Sequence, residues 1–383
     1  MSEILIGFVG DLLVNRNDPV EAFRYVRDIL KAPQIMFGHL EGVYTDNPHF
    51  SPSAYAAVGA PAHNLNVYAD VGFNVVSMAS NHLLDMGYQA MLETRARLRA
   101  QGVKTCGAGL TASDAREPAI IEVHGIRVAF LAYASSFPIG YEARSNAPGL
   151  AAIRSYKFWR DSDPNNHPGG DPLSTTIPDK GDIALLSADI KRARKQADLL
   201  IVSFHGGEYH RPFHLTELET QTARYSIDEG ADMVVSHHHH ALRGMEWHHG
   251  KPILYGLGHF VFDLRWELSD EVQRFLVDPG EADTSYRIGP REGWPLLPMH
   301  KDTRMTAIVW ATASQTRITN ISVLPCRLSS DGLVHPLRIT SPESDEVKAY
   351  LCECNRTQHL NGVFSAKNSR PVAGYHTLQL IPE

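Results

Sequence analysis

The chain has few cysteines, no long apolar run and no excess of positive charge, and each shortage removes a class of protein. Four cysteines in 383 residues, Cys106, Cys326, Cys352 and Cys354, are too few for a disulfide scaffold. Cys352 and Cys354 stand too close together for half a zinc finger, and no CxxC accompanies them. Reduced thiols, unrelated to the main site, are expected. No stretch of about 18 apolar residues occurs, so no membrane-spanning helix is expected. A strand-like run begins almost at once, at Ile4–Val9, with no charged and then apolar leader before it. A cytoplasmic protein is the resulting expectation. A formal charge of −7 without a long basic run argues against nucleic acid and anionic membranes as partners. A GxSxG motif is missing too, which favours direct attack by water over a covalent serine intermediate.

Histidine is plentiful, with 20 residues, many beside predicted strand ends. The stretch Gly230–Asp263, GADMVVSHHHHALRGMEWHHGKPILYGLGHFVFD, concentrates them. The apolar run Ala231–Val235 stops at Ser236-His237-His238-His239-His240, and Ile253–Leu257 stops at Gly258-His259. Both read as buried strands that deliver imidazoles at their C-terminal ends, where ligands gather in open α/β sheets. A histidine tract in mid-chain, at a strand end, points to a metal site and not to a terminal tag. Successive strand residues face opposite sides, which favours His238 and His240 over His237 and His239 as ligands.

The rest of the chain repeats this design. Ile4–Gly10 reads as a strand ending at Asp11, and Asp18-Pro19 opens a helix to about Lys31. Gln34–Gly38 is a strand followed by His39-Leu40-Glu41, and Val75–Met78 runs into Asn81-His82, with Asp85 just beyond. Asp85 suits either an acceptor fixing the His82 tautomer or a helix cap. Tyr88–Gln101 is a helix, Ala119–Ala132 a hairpin, Ser187–Ala197 a helix, and Leu199–Phe204 a strand ending at His205. Thr216–Glu229 is a further helix, Met305–Ala313 and Ile318–Leu328 are strands, and a short helix is expected after Ser341. Two irregular insertions, Arg154–Gly181 and Leu264–Thr303, are expected as ordered loops on the pocket rim. They bring aromatic surface (Trp159, Trp266, Tyr286, Trp294) and cations (Arg265, Arg287, Arg291), a pairing that hints at a small anionic or aromatic substrate.

Five strand exits therefore carry donors: Asp11, Glu41, Asn81-His82, His205 and His238/His240. A mixed nitrogen and oxygen set of this kind suits Zn, Mn or Fe in a dinuclear centre. The motif order GD…LE…SNHxLDxG…GAG…VSxHxGxEY…GADMVVSHHxH…GKPILYxLGxFVFD resembles the CapA family of poly-γ-glutamate biosynthesis (capsule) proteins. That family belongs to the calcineurin-like metallophosphatase superfamily, and the likeness runs over roughly Ile4–Asp263. It implies an α/β fold, a metallophosphatase-like αββα sandwich of two mixed β-sheets flanked by helices. It also puts Asp11, Glu41, Asn81, His205, His238 and His240 on metal-ligand positions and His82 on the general-acid position. The pattern differs at His39 and His259, each standing where the family shows asparagine, and at the run Ser236–His240, where it shows GHHPH. Leu13 stands where the first metallophosphatase block carries a histidine, so one-metal and metal-free acid/base sites remain alternatives to a dinuclear one.

The domain expectation is a CapA-like unit over residues 1–330 and a C-terminal extension over 331–383 packed on it. The functional expectation is a metal-dependent hydrolase attacking an amide, peptide or lactam bond, or less readily a phosphoester, of a small anionic substrate. Asp11, His82 and His259 are the catalytic candidates, and His39, Glu208, Tyr209, Arg211 and Arg243 the substrate-binding ones. Two alternatives are an acid/base peptide epimerase using the same pocket and a non-catalytic capsule-assembly component.

Overall fold

The strand Leu199–His205 shows why the protein forms layers. Leu199 and Ile201 belong to one apolar cluster, whereas Leu200, Val202 and Phe204 belong to another. Side chains of a strand alternate between its two faces, so both faces of this strand are covered. On one side lie the helices Lys180–Arg194 and Glu217–Asp228, contributing Leu186, Ile190, Leu218 and Ile227. On the other lies a second sheet. The computed structural model describes residues 3–161, 173–264, 286, 289, 291–367, 369 and 371–383.

The strand belongs to a six-stranded sheet in the order Met245–His248, Lys251–Leu254, Met233–His237, Leu199–His205, Ile126–Ala134, Ala119–Val123. Its middle four strands are parallel and each edge strand closes an antiparallel hairpin. The facing sheet has ten strands, with Ile4–Leu13 at its centre. Ile35–Leu40, Val75–Ser77 and Lys104–Cys106 continue from it in parallel, while Met305–Ala313 and Ile318–Leu328 follow antiparallel on its other side. The Phe37 and Phe130 rings stack across the two sheets at 5.5 Å. The result is a metallophosphatase-like α/β sandwich of two mixed sheets with helices packed on them. Among the described residues, no helix is long and apolar enough to cross a membrane.

The tail is part of this frame. Val334–Pro336, Gly362–Ser365 and Leu378–Pro382 all pair into the ten-stranded sheet. The helix Pro342–Thr357, capped by Ser341, is longer than expected. From it the buried Asn355 bonds Met245 in one sheet and Gly362 in the other.

Two expectations about local structure are corrected. Residues after Asp18 form a 3-10 helix, Pro19–Phe23, and a separate single turn, Arg27–Leu30, instead of one helix. Phe23 is buried edge-on against Tyr68 and Phe73, and this tertiary packing overrides helix propensity. The first insertion contains an antiparallel hairpin, Ser155–Arg160 with Leu173–Pro178. Its aromatic and β-branched residues carry the strand signal that the Pro, Gly and Asp content of the intervening sequence obscured. Arg265, Trp266 and Arg287, with most of the second insertion, lie outside the described residues.

Candidate metal centre

Strand alternation aims three imidazoles into the space between the sheets. His39 lies two residues beyond Phe37, His237 two beyond Val235, and His205 four beyond Ile201, so each shares its strand's inward face. His39 stacks on both His205 and His237, with 4.6 Å between ring centroids in each pair. Asp11 enters from the neighbouring strand, in register with His39 on one side and His259 on the other. Its carboxylate oxygens lie 3.5 Å from His237 Nδ1 and 3.5 Å from His240 Nδ1. Asp11 is therefore inside its strand, not beyond its end, because pairing with His259–Phe262 extends the strand to Leu13.

That pairing demands glycine at position 10. A Cβ there would sit 1.8 Å from the Gly258 carbonyl oxygen, which already accepts the Asp11 amide at 2.9 Å. Gly10→Ala is expected to cost more than about 3 kcal/mol, since the clash is with backbone and no side chain can yield. Chemical denaturation of the two proteins measures the difference.

Alternation ends after His237. His238 and His240 have positive φ, 99° and 57°. Such backbone costs about 1–3 kcal/mol per non-glycine residue and persists where the surroundings enforce it. The turn sends His238 beside His205, 4.7 Å between centroids, and brings His240 Nδ1 within 2.6 Å of His259 Nε2. His239 goes elsewhere: its Nε2 meets the buried Glu219 Oε1 at 2.5 Å, so it braces the run against the helix Glu217–Asp228. His237, passed over in favour of its neighbour on alternation grounds, is in the cluster. The same periodicity, counted from Met233 and Val235, selects it.

Two donor groups emerge, Asp11/His240/His259 and His39/Glu41/His205, the ligand atoms of each lying within 4.8 Å of one another. Ligands sharing one ion with bonds of about 2 Å stand within about 4 Å of one another, so each group has only to close slightly around an ion. Asp11 Oδ1 and Oδ2, His39 Nδ1, Glu41 Oε1, His205 Nδ1, both nitrogens of His237, His238 Nδ1 and His259 Nδ1 are buried without a hydrogen bond. Buried polar atoms are rarely left this way. So many together, all of ligand type, fit divalent cations.

Protonation agrees with that chemistry. Burial lowers His39 and His237 to about 4 and takes His205, His238 and His259 well below the usual imidazole value. Neutral imidazole is the form that binds metal. Burial opposes ionisation of Asp11, but the imidazoles of His237, His240 and His39 facing it together hold it well below the usual carboxylate range. Glu41 differs: burial, then the adjacent Asp11 charge, push it up to about 8. His39 Nε2 and Glu41 Oε2 share a contact of 3.0 Å.

His82 stands at the edge of this cluster. Its Nδ1 donates to Asp85 Oδ2 at 2.6 Å, and Asp85 also accepts from Tyr141 Oη at 2.9 Å and from the Val58 amide at 3.0 Å. Asp85 is thus an orienting acceptor, not a helix cap. Burial works against the imidazolium, but the Asp85 charge and hydrogen bond, with the charges of Glu41 and Asp11 behind them, outweigh it and the His82 pKa is raised. Asp85→Asn is expected to reverse the sign and leave burial in control. Histidine NMR titration of metal-free protein should then read above 6.5 for the parent and below it for the variant.

Five site candidates have contacts that bear on their expected roles. Asn81 accepts from His205 Nε2 at 2.7 Å and donates to Tyr55, so it orients His205 and its oxygen lies beside the second donor group. His39, expected to bind substrate, is fully buried in the second donor group. Arg243 is also fully buried, and its guanidinium donates to the backbone carbonyls of Leu242, Glu208 and Arg211, out of a substrate's reach. Glu208 and Arg211 face each other at 3.3 Å, with His214 beside Glu208, so both begin in an internal ion pair. Tyr209 remains on the rim, its ring 5.9 Å from His238 and 6.0 Å from His240.

The model of the family described as bacterial capsule synthesis protein PGA_cap matches residues 5–264, which include every residue of the two donor groups. The chain belongs to that family. Among PGA_cap relatives, the PGA biosynthesis protein CapA of Bacillus subtilis (strain 168) is 28% identical over 270 residues, covering 68% of this chain and 63% of that protein. An uncharacterized protein of Sinorhizobium fredii is 30% identical over 341 residues, covering 75% and 73%. A probable polyglutamine synthesis accessory protein of Mycobacterium tuberculosis is 34% identical over 194 residues, covering 50% and 45%. The chain thus spans less than two thirds of the Bacillus and Mycobacterium relatives.

Proposed function

We propose that this PGA_cap protein is a metal-dependent hydrolase that cleaves an amide bond of γ-glutamyl type in an anionic substrate. The observation that carries this reading is the set of buried, unbonded ligand atoms shared by Asp11, His39, Glu41, His205, His237, His238 and His259. Asp11, His240 and His259 would hold one ion, and His39, Glu41 and His205 the other. A bound pair of Zn, Mn or Fe ions supplies Lewis acidity, activating water and polarising the bond to be broken. The chain's own groups supply the remainder. Asn81 fixes the His205 ring, leaving Nδ1 toward Glu41 Oε2 at 3.7 Å. Asp85 fixes His82 so that its Nε2 proton is available to a leaving amine. The choice of a γ-glutamyl amide over a phosphoester rests on the names of the relatives in Bacillus subtilis and Mycobacterium tuberculosis.

Glu41, near 8 in the metal-free chain, is mostly protonated at pH 7 and must lose that proton to become a ligand. Calorimetric titration with zinc at pH 7, in two buffers of different ionisation enthalpy, should therefore report about one proton released. The Glu41→Gln variant should release essentially none and bind more weakly.

The reading itself is tested by incubating zinc- or manganese-loaded protein with γ-glutamyl amides and with p-nitrophenyl phosphate. Release of amine, abolished by chelation and by Asp11→Asn, is the expected result. A product of unchanged mass and inverted stereochemistry would instead establish an epimerase. Complete metal loading without turnover on either substrate class would favour a non-catalytic assembly role.

A further inference from the structure

Outside residues 5–264, a cleft of about 500 Å³ opens between the turn Lys301–Arg304, the strand Ile318–Leu328 and the helix Pro342–Thr357. Its lining includes the cations Lys301, Arg304 and Arg327, with Met305 and Tyr350. The acids around it are engaged: Glu346 pairs with Arg327 at 2.8 Å, Glu353 with Arg356, and Asp302 with Tyr286. Neither Lys301 nor Arg304 has a carboxylate partner among the described residues. The Arg304 guanidinium carbon stands over the Trp294 ring, 3.8 Å from its centroid, and its Nε has no hydrogen bond. Burial, then the nearby charges of Arg291 and Arg327, push the Arg304 pKa down.

The second observation is independent. Tyr350 is 8% exposed and its hydroxyl is buried without a hydrogen bond. A phenol in that state costs stability unless a ligand meets it.

We propose that this cleft is an oxyanion-binding site, taking a carboxylate or phosphate group against Arg304 and Lys301 with the Tyr350 hydroxyl as a further donor. The planar guanidinium suits a two-oxygen group, and the neutral phenol donates without adding charge. The site is separate from the metal centre but abuts it. Thr306 Oγ1 donates to the Leu257 carbonyl, two residues before His259, at 3.0 Å, and the Tyr350 ring lies 5.0 Å from Phe213 in the loop that carries Glu208 and Tyr209. The cleft is therefore joined through these two contacts to both edges of the pocket.

The test is calorimetric titration of the full, metal-free chain carrying Asp11→Asn, so that the metal centre takes no anion. Citrate and inorganic phosphate are the two probes. Saturable binding of either supports the site, and their relative affinities tell a carboxylate ligand from a phosphate one. Arg304→Gln should weaken it at least tenfold. Tyr350→Phe should weaken it several-fold while raising the melting temperature of the ligand-free protein, because an unsatisfied hydroxyl is removed. Failure of both probes to bind would overturn the proposal, as would affinity unchanged in Tyr350→Phe and Arg304→Gln. Because Asp11→Asn is the background, this result is independent of whether the metal centre is a hydrolase.

Discussion

Asp11→Asn should leave the chain folded and strip it of metal. Asp11 is the only carboxylate in its donor group and is held ionised, whereas an asparagine offers a single neutral oxygen. Metal content by mass spectrometry should fall from about two equivalents to below about one, as expected when one of a few ligands is lost. Hydrolytic turnover, where measured, should drop at least a thousandfold, about 4 kcal/mol of transition-state stabilisation. His239→Ala, in the middle of the histidine run, should do the opposite. It keeps metal and turnover, because its imidazole faces Glu219, but destabilises the fold by about 3 kcal/mol or more by leaving a buried carboxylate without its partner. His237→Ala should behave like Asp11→Asn. The contrast between neighbouring histidines separates a built centre from a tract that binds metal adventitiously.

The metal-free protein should be most stable near pH 6.5 and unfold in mild acid. His39 and His237 titrate near 4 when folded and near 6.5 when unfolded, so below 6.5 the unfolded chain takes up protons that the folded one refuses. Stability is full above 6.5 and is lost as pH falls toward 4. A tenfold difference in proton affinity between the two states is worth about 1.4 kcal/mol, so these two groups alone remove on the order of 5 kcal/mol or more by pH 4. His205, His238 and His259 act in the same direction. The total rivals the whole stability of an ordinary domain. Above 6.5 the sign reverses. Glu41 is raised to about 8, so its contribution, full below its ordinary value, is lost as pH climbs toward 8; His82, also raised, adds to the decline. Denaturant unfolding of chelator-treated protein from pH 4 to 8 measures both limbs. Glu41→Gln should flatten the upper one, and saturating zinc should raise the whole curve.

Much of this was legible in the sequence because strand chemistry is local. Apolar runs that stop at a donor located Asp11, Glu41, Asn81-His82, His205 and the histidine run, and the helix Glu217–Asp228 begins at a capping box, Thr216 with Glu219. What escaped was a matter of direction. His238 and His240 were expected at the centre, but they reach it through positive-φ backbone and not by strand alternation, a path no residue type announces when glycine is absent. His237 and His39 follow simple alternation, but that is readable only once the inward face is known from Phe37 and Val235. Arg243 read as a substrate-binding cation because its partners, carbonyls distributed over a loop, leave no mark in the sequence. The pairing of His259–Phe262 with Ile4–Leu13 joins residues nearly the length of the matched family stretch apart, beyond the reach of any local pattern.

The most direct measurement is anomalous diffraction at the zinc edge from crystals grown with zinc. Two peaks are predicted, one among Asp11, His240 and His259 and one among His39, Glu41 and His205. No peak at either group, or zinc bound only at the exposed cluster Asp228, His248 and His249, would contradict the assignment of a metal centre to the strand ends.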